Sequence, residues 1–267
     1  MTPQRIADRK VPDFVDRLQA EGRYTFTRTD VRETLGQWNA AIRGALRRLD
    51  KVGRIVRPRE GFYVIVPLEY LSAGSPPATW FVHDLMTYLA RPYYVGLLSA
   101  SALYGAAHQK PQEFQVVTDR PTRGITMPRV RVRFVVSSRA GETPTKEMKT
   151  ATGFIRVSTP EATALDLVHF PSAAGHLNNI ATVLLEMAEQ LDPRELRRLS
   201  ETAPSVEVRR LGFLLDLVGA EDVANPLRTF SRDRPPKPLD PGAPQRGSRR
   251  NDRWMLYINT TVEPDEI

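Results

Sequence analysis

Apolar residues near the start of the chain recur at helical spacing. The first stretch keeps one face apolar and ends before Gly22, with Val11, Phe14, Val15 and Leu18 on that face. A later stretch, from about Gln37 to Val52, repeats the spacing at Trp38, Ile42, Ala45, Leu46 and Leu49. Between them, Thr27 and Asp30 form a capping-box pattern, and Leu35-Gly36 ends the short helix that the box begins. These patterns predict three helices before Gly53.

Two short runs of β-forming residues follow the third helix. Arg54–Arg57 is separated from Phe62–Val66 by Pro58-Arg59-Glu60-Gly61, in which proline and glycine suit a tight turn. The pattern predicts a β-hairpin with Arg57 and Arg59 near its tip. Three helices and such a hairpin are the elements of a winged helix-turn-helix, a common DNA-binding module.

The rest of the chain mixes helical and strand patterns. The helical patterns lie at about Trp80–Ala90, Val95–Ala107, Ser158–Val168, Leu177–Gln190, Pro193–Glu201 and Ser205–Val218. The strand patterns lie at Glu113–Thr118, Arg129–Ser137, Gly153–Val157 and Trp254–Ile258. The fold class predicted is α+β, with an N-terminal winged helix-turn-helix followed by a larger mixed α/β domain that ends in a helical cap.

Composition changes along the chain suggest where these parts meet. Small residues and a proline pair in 71–77 predict a linker between a DNA-binding domain at 1–70 and a second domain at 78–267. The segment 228–253 is rich in proline and holds 8 Lys/Arg against 3 Asp/Glu. Such a composition predicts a flexible basic insertion before the last strand.

Positive charge is concentrated in the first part of the chain. Residues 1–68 hold 14 Lys/Arg against 8 Asp/Glu, whereas residues 69–227 hold 16 against 17. A localised basic region is typical of proteins that bind the phosphates of double-stranded DNA. Base contacts concentrate at the start of a recognition helix, which predicts that Gln37, Asn39 and Arg43 read base edges. The residues predicted to contact phosphates are Arg28, Arg47, Arg48, Lys51, Arg54, Arg57 and Arg59.

Solvated surface charge is the competing interpretation of each of these arginines. The alternating row Arg129, Arg131 and Arg133 is best explained as the polar face of a half-exposed strand. For the basic insertion at 228–253, weak DNA binding and plain solvation remain equally open.

Residue types argue against several other functions. The chain has no cysteine, which excludes disulfides and thiolate-bound metals, and its four histidines include no pair at zinc-site spacing. Phosphate-binding and dinucleotide-binding glycine patterns are absent from the sequence, so we predict no catalytic residue, metal or cofactor. The opening MTPQRIADRK has no signal-like apolar stretch, and Pro92–His108 is too short for a membrane span, which together favour a cytoplasmic protein. The oligomeric state stays open.

Three segments together resemble a known family. They are Tyr94–His108, the strand containing Gln115–Thr118, and Ser158–Val168, in which Thr159 and Pro160 begin a helix. Their order after the predicted winged helix is similar to that of the AbiEi family, the antitoxins of type IV toxin–antitoxin systems. The closing strand Trp254–Asn259, with Val262 and Glu263 after it, is also similar to this family. The resemblance covers roughly Phe14 to Glu263, although Ala162 stands where the family often carries arginine.

The resemblance implies a dual role. The winged helix would bind inverted repeats upstream of its own operon and repress it, and the second domain would counter a nucleotidyltransferase-like toxin. Two alternatives remain open from the residues alone. One is a transcription regulator whose second domain binds a small molecule. The other is an enzyme of nucleotide or RNA processing that uses the winged helix only as a docking module. Its candidate residues are Asp166 and His108, with His83-Asp84 or Ser99 and Ser101 as further candidates for a hydrolytic arrangement.

Overall fold

The computed structural model of the chain describes residues 3–36, 40–106 and 111–265, and it is a mixed α+β structure. The chain divides into two compact units. The first comprises Met1–Tyr94, Gln112–Gly141 and Glu147–Arg156, and the second comprises Val95–Pro111, Glu142–Lys146 and Val157–Ile267. Every helix among the described residues is too short or too polar to span a lipid bilayer.

The N-terminal module of the first unit contains three helices and a three-stranded sheet. Its elements are α1 (Pro3–Ala20), β1 (Thr25–Thr27), α2 (Arg28–Leu35), α3 (Ala40–Lys51), β2 (Ile55–Arg59) and β3 (Phe62–Ile65). The sheet has the order β1-β3-β2, and both pairings are antiparallel. The three helices and the hairpin predicted from the sequence are present, and β1 adds a strand that the sequence analysis did not predict.

Apolar side chains from all these elements form one core. Val11 and Val15 of the predicted α1 face are fully excluded from solvent. Ile42, Ala45 and Leu46 of the predicted α3 face are buried, Leu49 is partly buried, and Trp38 lies outside the described residues. Phe26 of β1 lies edge-on to Phe14, with 5.5 Å between ring centroids, and stacks on Tyr63 of β3 at 4.9 Å. Burying one such side chain completely stabilises the folded state by roughly 1.5–3 kcal/mol relative to leaving it exposed. The core therefore fixes which face of α3 remains at the surface.

The hairpin turn is shorter than the sequence predicted. Pro58 and Arg59 belong to β2, so only Glu60 and Gly61 form the turn. Gly61 has φ +77°, a conformation that glycine adopts at little cost. The register between β2 and β3 shifts between Val56 and Arg59, and this irregularity accommodates a proline that cannot donate to a strand partner.

A six-stranded sheet lies mostly in the first unit. Its strand order is β6-β7-β5-β4-β9-β8. The strands are β4 (Tyr93–Val95), β5 (Phe114–Thr118), β6 (Ile125–Met127), β7 (Val130–Val136), β8 (Thr145–Thr150) and β9 (Gly153–Ser158). The short helix α4 (Val82–Tyr88) and a 3-10 turn at Ala78–Trp80 precede it along the chain. Strands β5, β7 and β9 match predicted strands, whereas β4, β6 and β8 were not predicted.

The predicted linker at 71–77 lies inside the first unit. Ser75 is buried, and its hydroxyl donates to the carbonyl of Pro128 at 2.8 Å. The ring of Tyr24 in the N-terminal module lies 4.9 Å from that of Trp80, just beyond the segment. The two compact units of the structure therefore meet at positions other than 71–77. The functional domains at 1–70 and 78–267 stay a prediction from sequence.

The second unit is mainly helical. Its helices are α5 (Leu97–Leu103), α6 (Pro160–His169), α7 (His176–Met187), α8 (Pro193–Ser200), α9 (Ser205–Leu217) and α10 (Glu221–Ala224). Two 3-10 turns, Ala188–Gln190 and Asn225–Ser231, extend α7 and α10. Helix α6 begins as predicted, since the Thr159 hydroxyl accepts from the amide of Ala162 at 3.3 Å and Pro160 takes the first position.

The segment predicted as a flexible insertion is held against α9. It contributes β10 (Lys237–Pro238) and β11 (Arg249–Asn251), which flank β12 (Leu256–Ile258). Arg209 donates to the carbonyls of Pro235 at 3.0 Å and Met255 at 3.1 Å, and Arg210 donates to that of Pro238 at 2.9 Å. Composition predicted a flexible segment because it does not reveal that Arg209 and Arg210, distant along the chain, donate hydrogen bonds to it.

Trp254 anchors the same segment from its other end. Its side chain is fully buried, and its indole N–H donates to the carboxylate of Asp216 at 2.6 Å. The ring lies directly over Gly212 of α9, where a Cβ would overlap its six-membered part. Glycine at this helix position is therefore required by close packing.

We expect Gly212→Ala to lower the free energy of unfolding by about 1–3 kcal/mol, because overpacking forces the ring or the helix to move. Urea unfolding followed by circular dichroism measures the change. The matched control is Leu217→Ala at an exposed position of the same helix, expected to change stability by less than about 0.5 kcal/mol. Equal stability of Gly212→Ala and the unmodified chain would contradict this packing.

Candidate nucleic-acid interface

The exposed face of α3 carries three of the predicted cations. Arg43, Arg47 and Lys51 are spaced four residues apart, so they form one stripe along the helix, and each side chain is exposed. In the described part of the chain, no carboxylate pairs with any of the three. The stripe therefore presents uncompensated positive charge to solvent.

Gly44 leaves a notch beside this stripe. The nearest atom to a Cβ built there is Nη1 of Arg48, at 3.5 Å, so the notch faces open space apart from one flexible side chain. Arg48 is itself exposed. A cationic helix face with a gap in its side chains suits close approach to a polyanionic surface.

The two polar residues predicted to read base edges lie outside the described residues. These are Gln37 and Asn39, which precede the first described turn of α3. Arg43, the third residue of that prediction, lies one turn into the helix and is exposed. Its side chain is therefore available at the surface of the helix.

A complete capping box orients α2. The amide of Asp30 donates to the Thr27 hydroxyl at 3.2 Å, and the Asp30 carboxylate accepts from the Thr27 amide at 2.7 Å. Burial raises the pKa of Asp30, but the bonds from Thr27 and from Arg23 outweigh it and hold the pKa below its ordinary value. The carboxylate is therefore charged at neutral pH, and the box predicted from sequence is confirmed.

Two predicted phosphate contacts are paired with carboxylates. Arg28 lies 3.0 Å from Glu60, and Arg54 lies 2.6 Å from Asp16. Both acidic partners are more than half exposed, so water screens each pair and its stabilising effect is on the order of 0–1 kcal/mol. These arginines contribute less net positive charge to the surface than Arg43 and Arg47 do.

The hairpin arginines have different environments. Arg57 is exposed and lies near Tyr63. Arg59 points back into the first unit, where its guanidinium donates to the carbonyls of Arg123 and Gly124 and lies 5.8 Å from the ring centroid of Phe134. Burial and the charge of Arg123 lower the pKa of Arg59. The structure therefore gives Arg59 an internal partner that its position at the hairpin tip did not predict.

Sequence reasoning overlooked the loop that Arg59 contacts. Residues 119–124 join β5 to β6 and include Arg120 and Arg123, both exposed. Arg91 also donates to this loop, at the carbonyls of Arg120 and Pro121. The signal was present as two arginines in Asp-Arg-Pro-Thr-Arg-Gly, but nothing local connects that loop to the hairpin.

The candidates for other chemistry have structural partners. His83 Nδ1 lies 3.0 Å from the Tyr93 hydroxyl, and Asp84 accepts from the Thr25 hydroxyl at 2.5 Å. The hydroxyl of Ser101 donates to the carbonyl of Leu97 within α5, at 3.1 Å. Asp166 and Ser99 are buried, and His108 lies outside the described residues. Within the described ranges, no three His, Asp or Glu side chains are grouped closely enough to hold a metal ion.

The arginine row on β7 is an exposed strand face. Arg131 and Arg133 alternate with the more buried Val132, whereas Arg129 lies in the turn before the strand. Arg133 is 3.9 Å from Glu113, a long and solvent-exposed pair. This arrangement agrees with the interpretation of the row as the polar face of a half-exposed strand.

The second unit contains a cleft of about 460 Å³ at the start of α7. Its walls include His176, Asn178 and Asp240. Arg210 also lines it, but the guanidinium is hydrogen-bonded to the carbonyl of Pro238. Cation and carboxylate therefore face the same cleft, which favours no single class of small molecule.

The chain is similar to a solved structure and, over part of its length, to a known protein family. The crystal structure of the RV2827C protein from Mycobacterium tuberculosis has a similar fold, with a TM-score of 0.65 and 16% sequence identity. The similarity covers 91% of this chain and 89% of that one. No curated protein matches the chain significantly.

The family comparison concerns the part of the chain from Tyr94 to Leu217. Residues 94–217 match the family described as the AbiEi antitoxin C-terminal domain. The match includes α5, β5 and α6, the same segments on which the resemblance in the sequence rests. This segment is therefore assigned to the AbiEi antitoxin C-terminal domain family.

Proposed function

We propose that this protein is a type IV antitoxin that also represses transcription of its own operon. The N-terminal module acts as a winged helix-turn-helix that binds operator DNA. Its helix α3 contacts inverted repeats upstream of the operon. The domain at 78–267 counters a nucleotidyltransferase-like toxin. The observation that supports the DNA-binding half is the cationic stripe of α3 beside Gly44.

The arrangement of α3 supports docking into a major groove. Its apolar face is committed to the core, so only the face with Arg43, Arg47 and Lys51 can meet a partner. The hairpin β2–β3 follows directly and supplies Arg57 at its exposed side. A helix for the groove and a hairpin for the flanking backbone are the two contacts that a winged helix makes with DNA.

The match of residues 94–217 to the AbiEi antitoxin C-terminal domain supports the antitoxin half. The matched segment, 94–217, lies wholly within the proposed antitoxin domain at 78–267. We assign this domain no catalytic role, metal or cofactor, and we propose a cytoplasmic location because both the operon and the proposed toxin chemistry are found there.

Binding to the DNA immediately upstream of the chain's own gene should depend steeply on salt. We propose that five exposed cations of the module neutralise phosphate charge. Arg47, Arg48, Lys51 and Arg57 would do so by direct contact, and Arg43, predicted to read a base edge, from within the groove. Because each contact releases about 0.9 counterion, the slope of log affinity against log salt should be about −4 to −5. Fluorescence anisotropy over a potassium chloride series measures it.

The matched variants for this measurement carry two substitutions each. Arg43→Gln with Arg47→Gln should reduce the slope by about 2. Arg194→Gln with Arg197→Gln, at exposed positions of α8, should leave it unchanged. A slope near zero, or the same loss from both double variants, would remove the electrostatic case for DNA binding.

The Gly44 notch should matter for DNA binding and not for folding. Gly44→Leu should weaken operator binding by about tenfold, since a side chain there would hold the helix away from the groove and cost on the order of 1–3 kcal/mol in contacts. Its thermal stability should be unchanged or higher, because glycine is a poor helix former. Anisotropy and circular dichroism measure the two effects.

The control for Gly44→Leu is Ala20→Leu, at the exposed end of α1. This change adds the same apolar surface away from α3 and should leave operator affinity intact. Equal affinity of Gly44→Leu and the unmodified protein would show that α3 does not approach DNA closely.

Co-expression with a nucleotidyltransferase-like toxin tests the antitoxin half. The chain should relieve toxin-induced growth arrest, and the Arg43→Gln, Arg47→Gln variant should relieve it equally, because the proposed antitoxin domain lies outside the N-terminal module. Colony counts and growth curves measure relief. Arrest that persists for every cognate toxin, together with a thermal shift caused by a metabolite, would instead favour the ligand-responsive regulator.

A further inference from the structure

The loop at 119–124 is held in place by arginine side chains from elsewhere in the first unit. Arg91 Nη1 donates to the carbonyls of Arg120 and Pro121, each at 3.1 Å, and to the hydroxyl of Thr122 at 2.5 Å. Three acceptors on consecutive residues are thus bonded to one guanidinium nitrogen. Such bonds fix the path of a loop that has no strand or helix of its own.

The hairpin holds the other end of the same loop. Arg59, the last residue of β2, donates through Nη2 to the carbonyl of Arg123 and through Nη1 to that of Gly124, the latter at 3.5 Å. The guanidinium also lies over Phe134 of β7. Because the fork of Arg59 is directed at carbonyl oxygens, its donors are turned toward the protein.

These contacts bring two positive charges together at the hairpin tip. The charge of Arg123 is close enough to lower the pKa of Arg59, after the larger effect of burial. Arg123 is exposed, and no carboxylate among the described residues pairs with it. Its neighbour Arg120, by contrast, lies 3.1 Å from Asp119. A pair of like charges without a counter-ion is stabilised when an external anion binds beside it.

We infer that Arg123 binds a phosphate of the DNA that flanks the α3 contact, and that Arg59 positions Arg123 without touching the DNA. This inference rests on the proposed DNA binding. It assigns a phosphate contact to the loop between β5 and β6, outside the predicted DNA-binding domain at 1–70. The hairpin and this loop then act as one composite wing, defined as β2, β3 and residues 119–124.

Five variants and the same upstream duplex test the composite wing. Arg123→Gln should weaken binding three- to tenfold at moderate salt and reduce the salt slope by about 1. Arg120→Gln, on the same loop but paired with Asp119, is the matched control and should leave the slope unchanged. Circular dichroism and thermal melting confirm that each variant is folded.

Variants of Arg59 distinguish positioning of Arg123 from direct contact with a phosphate. Arg59→Gln should weaken binding about as much as Arg123→Gln, and the double variant should be no weaker than either single one, because both changes remove the same phosphate contact. Arg59→Lys keeps the charge but loses the two-pronged donor, so it should behave like Arg59→Gln. A lysine variant with full affinity would instead indicate that Arg59 contacts phosphate directly and would overturn the positioning role.

The failures are distinguishable. If the unmodified protein binds the upstream duplex with a steep salt slope and Arg123→Gln retains that slope, the composite wing is wrong and the proposed repressor function stands. If the unmodified protein binds neither the upstream duplex nor an unrelated duplex of equal length, the proposed DNA binding fails, and the composite wing fails with it.

Discussion

Hydrogen bonds from arginine side chains to backbone carbonyl oxygens hold the irregular parts of this structure. Proline supplies 22 of the 267 residues, and each has a carbonyl acceptor but no N–H donor. Proline-rich segments therefore leave carbonyls in need of partners when they pack against the protein. Arginine has five donors and no acceptor, so Arg91, Arg209 and Arg210 reach the carbonyls of Pro121, Pro235 and Pro238 respectively.

This use of arginine reduces the charge available for partners. A net charge of +7 counts every cation equally, whether it is exposed or bonded inside the protein. Arg28 and Arg54 lie against carboxylates, and Arg59 lies against carbonyls. The exposed stripe of α3 is left as a row of cations without a carboxylate partner among the described residues. Its position follows from the core, because burial of Ile42 and Leu46 turns Arg43 and Arg47 outward.

The N-terminal module was the most predictable part of the fold, since its signals are local. Spacing on α1 and α3 and the capping box at Thr27 each involve residues within a few turns of one another. The sheet was less predictable. Strand β8 has no alternating apolar face, because five of its six side chains are polar or charged. Helix α5 begins later than the spacing indicated, since Leu97 has φ +54° and Gly96 before it is extended.

The sequence alone determined the helices and hairpin of the N-terminal module, the buried and exposed faces of α3, and the resemblance to the AbiEi family. Those features depend on spacing along the chain and on short segments. Tertiary structure alone decided which arginines outside α3 face solvent. The contact of Arg59 with Arg123 joins residues 64 positions apart, and no local pattern encodes it. A guanidinium looks the same in a sequence whether it will meet a carbonyl, a carboxylate or water, and only the folded chain places those partners within its reach.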